Sequence, residues 1–203
     1  AVIMQEVVGE QYENFYYPYI SGVSQSYNYY PYGYMQPEDG FAVIAVGLGT
    51  YVVEGEKAFR CSPKYPNLEN NTPRDQYMNS QVEFYAIDLR KKELNLLEGD
   101  TVGLARLSIE DAERHGVLKH CASVYYAESK TIYAGLDRSG PRVVNFADIL
   151  KYDYIPLAKS LVEILDIVKE ALGTPVEIEF AIDLEKDSSH KASFYLLQIK
   201  PII

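Results

Sequence analysis

Two segments near the C-terminus alternate polar and apolar residues: Glu177-Ile178-Glu179-Phe180-Ala181, and Phe194-Tyr195-Leu196-Leu197-Gln198-Ile199-Lys200-Pro201. A period of two is that of a half-buried β-strand, in which side chains two apart share a face. The pattern predicts Glu177 and Glu179 on one face, with Ile178 and Phe180 turned into a core. Gln198 and Lys200 share a face in the same way, with Leu197 and Ile199 directed inward. The polar stretch between the segments predicts a hairpin turning at 187–189. In that register Glu179 sits opposite Gln198, and Glu177 sits opposite Lys200.

Just upstream, Leu157, Leu161, Ile164, Leu165, Val168, Ala171 and Leu172 recur at helical spacing and form an apolar stripe. Pro156 suits an early helical position and Gly173 a C-terminal stop, so a helix is predicted over 156–172. Residues 1–8 and 41–46 read as strands, with Gly9 ending the first. Residues 82–89 alternate and read as a third. Ser108 with Glu110 and Asp111 is an N-cap pattern, and Gly116 a stop. Short strands are predicted at 123–126, 131–134 and 143–146, with a turn over 137–141. Residues 61–80 are rich in turn formers and read as an exposed loop. Residues 11–35 hold nine of the 19 tyrosines. Pro18, Pro31 and Gly33 divide that stretch into short strands and turns, with half-wet aromatics that could also stack on a sugar or base.

Composition narrows the classes. At 203 residues, 47% hydrophobic and 24% charged, the chain has the make-up of a globular domain with a sizeable core. No apolar run approaches the ~20 residues that span a membrane, and no signal peptide is evident. The chain opens directly in Ala1-Val2-Ile3-Met4, which suggests a piece of a longer polypeptide. A net charge of −10 disfavours a nucleic-acid surface. Cys61 and Cys121 lack CxxC spacing, as expected of reduced thiols in a cytoplasmic protein. His115, His120 and His190 form no metal-ligand spacing, and the first two read as surface residues near a helix end.

The predicted hairpin face gathers two carboxylates, an amide oxygen and an ammonium. Mg²⁺ takes hard oxygen ligands and commonly shares its shell with substrate phosphate, while a lysine neutralises phosphate charge. The same pattern also describes a solvated sheet face, whose cross-strand Glu/Lys pairs contribute only ~0.2–1 kcal/mol each. Spacing alone does not separate the two readings.

The motifs add a resemblance. The acidic-Ile-Glu-aromatic strand, followed by Leu197-Gln198-Ile199-Lys200-Pro201, resembles the end of the ATP-grasp nucleotide-binding domain of the phosphoenolpyruvate synthase and pyruvate phosphate dikinase family. That family usually ends the second strand in Leu-Gln-x-Arg-Pro. Gly47-Leu48-Gly49-Thr50 resembles a loop that often reads Gly-Leu-Gly-Glu in the family. The likeness is most specific over 155–201 and weaker over 1–10 and 41–56. It implies an α+β fold: the C-terminal lobe of an ATP-grasp domain, mainly antiparallel sheet with a few packed helices. It makes 1–203 one domain fragment, with 60–145 as an enlarged insertion.

The resemblance also implies roles. Glu179 and Gln198 would hold Mg²⁺ at the ATP phosphates, Glu177 matches the family's other acidic position, and Lys200 stands where arginine usually contacts phosphate. Gln5 and Glu6 match the strand entering the adenine-binding hinge. The implied partners are ATP and further domains of the same polypeptide: an N-terminal ATP lobe, a phosphohistidine domain and a pyruvate-binding domain. The implied function is phosphoryl transfer from ATP to a histidine on another domain and then to pyruvate, with this fragment inactive alone. Two alternatives stay open: a related dikinase or phosphotransferase acting on a glucan or an antibiotic, and a non-catalytic tyrosine-rich binding module.

Overall fold

A chain whose strands alternate so regularly needs sheets with one face packed and one face wet. That is the architecture of the computed structural model, which describes residues 2–95, 97, 99, 101–184 and 191–202. In chain order the strands are β1 (Glu10–Tyr12), β2 (Phe15–Tyr17), β3 (Ile20–Gln25), β4 (Phe41–Ala45), β5 (Phe59–Cys61) and β6 (Glu83–Asp88). They continue with β7 (Leu104–Ser108), β8 (Ala122–Tyr126), β9 (Thr131–Ala134), β10 (Arg142–Val144), β11 (Val176–Leu184) and β12 (Ala192–Pro201). The helices are α1 (Thr50–Val53), α2 (Pro73–Met78), α3 (Ile109–Arg114), α4 (Ala147–Leu150) and α5 (Leu157–Leu172). The strands form three antiparallel sheets, ordered β1-β2-β6-β7, β10-β8-β9 and β12-β11-β3-β4-β5. The fold is α+β, consistent with an ATP-grasp-like lobe.

The five-stranded sheet carries the polar hairpin. One of its faces takes the apolar stripe of α5. Leu157, Leu161, Leu165 and Val168 are buried in one core with Ile178, Phe180 and Ile182 of β11. Gly173 closes the helix in the left-handed conformation, its N–H donating to the Lys169 carbonyl, a common way of satisfying the last turn. The stripe is shorter than its spacing suggests, because Ala171 and Leu172, the last two residues of α5, are exposed. Gly22 lies on the packed face of β3, opposite Phe180. A Cβ there would stand 2.6 Å from the Phe180 ring and 2.7 Å from the Val43 carbonyl oxygen, so only glycine lets that ring fill the space.

Four sequence expectations change. Residues 2–8 form no strand. They run over the five-stranded sheet with Val2, Ile3 and Met4 almost fully exposed, and β1 begins only after Gly9. The 61–80 stretch is not simply an exposed loop. Thr72 and Asp75 close a capping box on α2, and Ser62, Gln76 and Ser80 are buried. β12 is the edge of its sheet, so Leu197 is only half-buried and Ile199 is exposed. His115 is not at the surface: its ring is 2% exposed, held by Tyr17, whose hydroxyl lies 2.7 Å from Nδ1. The hairpin turn expected at 187–189, and His190, lie outside the described residues.

Candidate functional site

β11 pairs with β12 on one side and β3 on the other. In β11–β12, Glu177 is opposite Lys200 and Glu179 is opposite Gln198, the register predicted from alternation. A β-bulge follows at once: Phe180 pairs with Leu196, so Leu197 is the extra residue. Such bulges bend a strand and raise its twist. Directly opposed residues share a face, so Glu177, Glu179, Gln198 and Lys200 occupy the face turned away from α5.

Contacts tie this face together. Lys200 Nζ lies 2.6 Å from Glu179 Oε1 and 3.6 Å from Glu177 Oε1. The hydrogen bond to Glu179 holds the ammonium above its ordinary pKa, so it is charged at neutral pH. The second oxygen of Glu177 has another partner: Gln25 Nε2 donates to Oε2 at 2.6 Å. Gln25 is the β3 residue opposite Glu177 and pairs in turn with Phe41 of β4. Arg60 of β5 lays its guanidinium over the Phe41 ring at 3.6 Å. A row therefore runs from Lys200 through Glu177 and Gln25 to Phe41, with Arg60 at its far end. Gln25 was not identified from the sequence, because its partner is 152 positions away. The only local signal was its outward place in the alternation of β3.

The other end of the face is roofed by the N-terminal segment. Gln5 Nε2 donates a long hydrogen bond, 3.5 Å, to the Leu197 carbonyl. The Val7 carbonyl accepts one from the Tyr16 hydroxyl. Gln5 and Glu6 line a groove of about 500 Å³ with Tyr16, Asp183, Tyr195 and Leu197. An adjoining space of about 160 Å³ has Ser21, Gly49 and Ala181 among its walls. Gly47 needs its positive φ of 88°, and a Cβ there would strike the Phe84 ring at 2.6 Å. Gly49 has ordinary helical angles, and a Cβ there would lie 3.7 Å from Ser21 Cβ, an ordinary contact. Thr50, where Glu is frequent in the resembled loop, opens α1. A separate cavity of about 420 Å³ at the β5 edge, walled by Tyr32, Leu68 and Leu150, contains none of the predicted site residues.

A sheet face carrying oxygen donors and a lysine ammonium, beside a roofed groove, suits a nucleotide with its phosphates. The sequence model of one protein family, "Pyruvate phosphate dikinase, AMP/ATP-binding domain", matches residues 1–203. The chain belongs to that family. It is thus the AMP/ATP-binding part of a dikinase-family phosphotransferase, and the match takes in 60–145 as well as the C-terminal motifs. A comparison with curated proteins finds no match.

The donor set can be tested against a divalent cation. Among the described residues no three His, Cys, Asp or Glu side chains converge as a metal cage. Glu177 and Glu179 offer two carboxylates and Gln198 an amide oxygen. That set is too sparse for a self-contained Ca²⁺ or Zn²⁺ site, but it fits Mg²⁺, which binds through one or two carboxylates and completes its shell with water and phosphate. Both Oε1 atoms already face a positive charge, the Lys200 ammonium. Two of the six residues given roles by the resemblance, Gln5 and Glu6, stand apart from the acidic pair, at the groove.

Among the described residues, no helix is long and apolar enough to cross a membrane.

Proposed function

We propose that this domain presents ATP for phosphoryl transfer in a phosphoenolpyruvate-synthase-like dikinase. The nucleotide's phosphates would lie over β11 and β12, and its base would enter the groove beneath Gln5 and Glu6. Glu179, Gln198 and Glu177 would hold Mg²⁺, which supplies charge neutralisation at the phosphates. Lys200 would bind phosphate oxygens as a point charge where relatives use the planar fork of arginine. Gln25 would fix the Glu177 carboxylate. Phosphoryl transfer depends mainly on positioning and electrostatic stabilisation, and these residues supply both without forming a covalent bond.

The acceptor in this reading is a histidine on another domain of the same polypeptide, which passes the phosphoryl group to pyruvate. A second ATP lobe would complete the cleft, so the 203-residue chain alone would bind ATP weakly and catalyse nothing. Residues 60–145 would be an enlarged insertion within a single domain, and the protein cytoplasmic. The observation carrying the proposal is the convergence of Glu177, Glu179 and Lys200 within 3.6 Å in a chain of the dikinase family. The test is phosphoenzyme formation from labelled ATP in the complete polypeptide. Glu179→Ala should lose labelling by orders of magnitude with an unchanged thermal melt, whereas Lys200→Arg should keep or raise it. Wild-type labelling by Glu179→Ala would remove this face as the metal and phosphate site.

A further inference from the structure

The position of Lys200 has a consequence for the order in which ligands enter. Its ammonium bridges the two oxygens, Glu179 Oε1 at 2.6 Å and Glu177 Oε1 at 3.6 Å, that a divalent cation would need. Glu177 Oε2 is meanwhile pinned by Gln25 at 2.6 Å. The carboxylate therefore keeps its orientation whichever cation faces Oε1. The ammonium's partners among the described residues are these same two carboxylates. Lys200 sits near the end of an edge strand with a side chain 46% exposed, on a flexible stem that can swing within the face.

We propose that Lys200 is an exchangeable counter-ion: it occupies the cation position between Glu177 and Glu179 until a divalent metal takes its place, and then moves onto phosphate oxygens. The proposal rests on the metal-site reading above and adds a direction to it. A dication and an ammonium cannot share the same two oxygens at contact distance without strong repulsion. Metal alone must therefore expel Lys200 into water, where it gains no partner. Polyphosphate gives the ammonium a new anionic partner, and the carboxylates are released to the metal. Metal and nucleotide then bind with positive coupling, and coupling between two ligands is reciprocal. The device also guards the two carboxylates against stray divalent cations, since they are never without a counter-charge.

The experiment is Mn²⁺ binding to the 203-residue protein in the absence of nucleotide, read by the loss of the free-ion electron paramagnetic resonance signal. Wild type, Lys200→Gln, Lys200→Met and Glu179→Gln are compared, with thermal melts as the folding control. Removing the competing ammonium should tighten Mn²⁺ binding by about tenfold in both Lys200 variants, a size typical of site-to-site coupling, and Glu179→Gln should abolish it. If Glu179→Gln abolishes binding while both Lys200 variants match or fall below wild type, the counter-ion proposal is overturned and the metal site stands. If Glu179→Gln binds Mn²⁺ as wild type does, or no Lys200 variant binds it at all, the metal-site reading fails and the proposal with it. Two different Lys200 replacements guard against a folding artefact in either one.

Discussion

Glu177 divides its two carboxylate oxygens between neighbours on opposite strands, Gln25 on β3 and Lys200 on β12. That division makes Gln25 a positioning residue. It touches neither metal nor nucleotide in the proposed reading, but it sets the direction in which Glu177 Oε1 points. Partners that orient ligands in this way typically change metal affinity by about 10–100-fold when lost. Gln25→Leu, which keeps the size and removes the amide, should weaken Mn²⁺ binding by that order while leaving the melting temperature close to wild type. Gln25→Glu should weaken it too, because two carboxylates would then meet at 2.6 Å without a hydrogen between them. Calorimetric Mn²⁺ affinities for both variants equal to wild type would show that Glu177 needs no such support. At this scale the sequence was legible only where partners were local. The Glu177–Lys200 and Glu179–Gln198 pairs follow from period and a short hairpin connection. Gln25 and the tyrosine-held His115 depend on pairings about 100 positions or more apart, which no local pattern encodes.

β11 and β12 pair in a single ladder but differ sharply in burial. β11 is central, flanked by β12 and β3, and its inward residues Ile178, Phe180 and Ile182 are essentially fully buried. Phe180 also stacks on Phe194 at 5.1 Å between ring centroids. β12 has no further neighbour in the sheet order, so Ile199 stays 43% exposed. Equal apolar residues in equal patterns should therefore have unequal energies. Phe180→Ala should cost about 3–5 kcal/mol through lost burial and a cavity, whereas Ile199→Ser should stay within about 0.5 kcal/mol. Urea unfolding of the two variants decides this, and similar losses for both would mean that β12 is covered in solution. The alternation of the sequence predicts which way each side chain turns, but not whether anything stands beneath it. Whether a strand is central or at an edge is a property of the whole sheet. The same limit explains residues 2–8, where an apolar run suited to a strand finds no partner among the described strands. The bulge at Leu197 was likewise invisible, since a sequence shows period and not the one extra residue that two strands settle between them.

The molecule as a whole buries groups whose charged forms the interior rejects. Cys61 and Cys121 are free and buried. Burial raises the Cys61 thiol from 9.0 to about 12 and Cys121 well above 9.0. Burial likewise raises the Tyr51 phenol from 10.0 to about 12, and those of Tyr12, Tyr17 and Tyr19 further still. Each of these groups keeps its proton in the folded chain at pH values where the unfolded chain releases it. Stability rises with pH only where the unfolded state binds more protons, and here it binds fewer. The contribution is therefore complete below pH 9 and is lost as pH climbs from about 9 toward 12 and beyond. The acidic balance of the chain, −10 at pH 7, adds self-repulsion in the same direction. The melting temperature should hold nearly level from pH 7 to about 9 and then fall steeply, with several protons released per molecule on unfolding. Neither thiol should react with a disulfide reagent at pH 8 until the chain unfolds, because the reactive species is the thiolate. A melting temperature that stays level to pH 11, or rapid labelling of both thiols in the native protein, would show that the core around Cys61 and Cys121 admits water and charge. That core also backs the sheet on which Glu177 and Glu179 stand, so its integrity sets how firmly the candidate site is held.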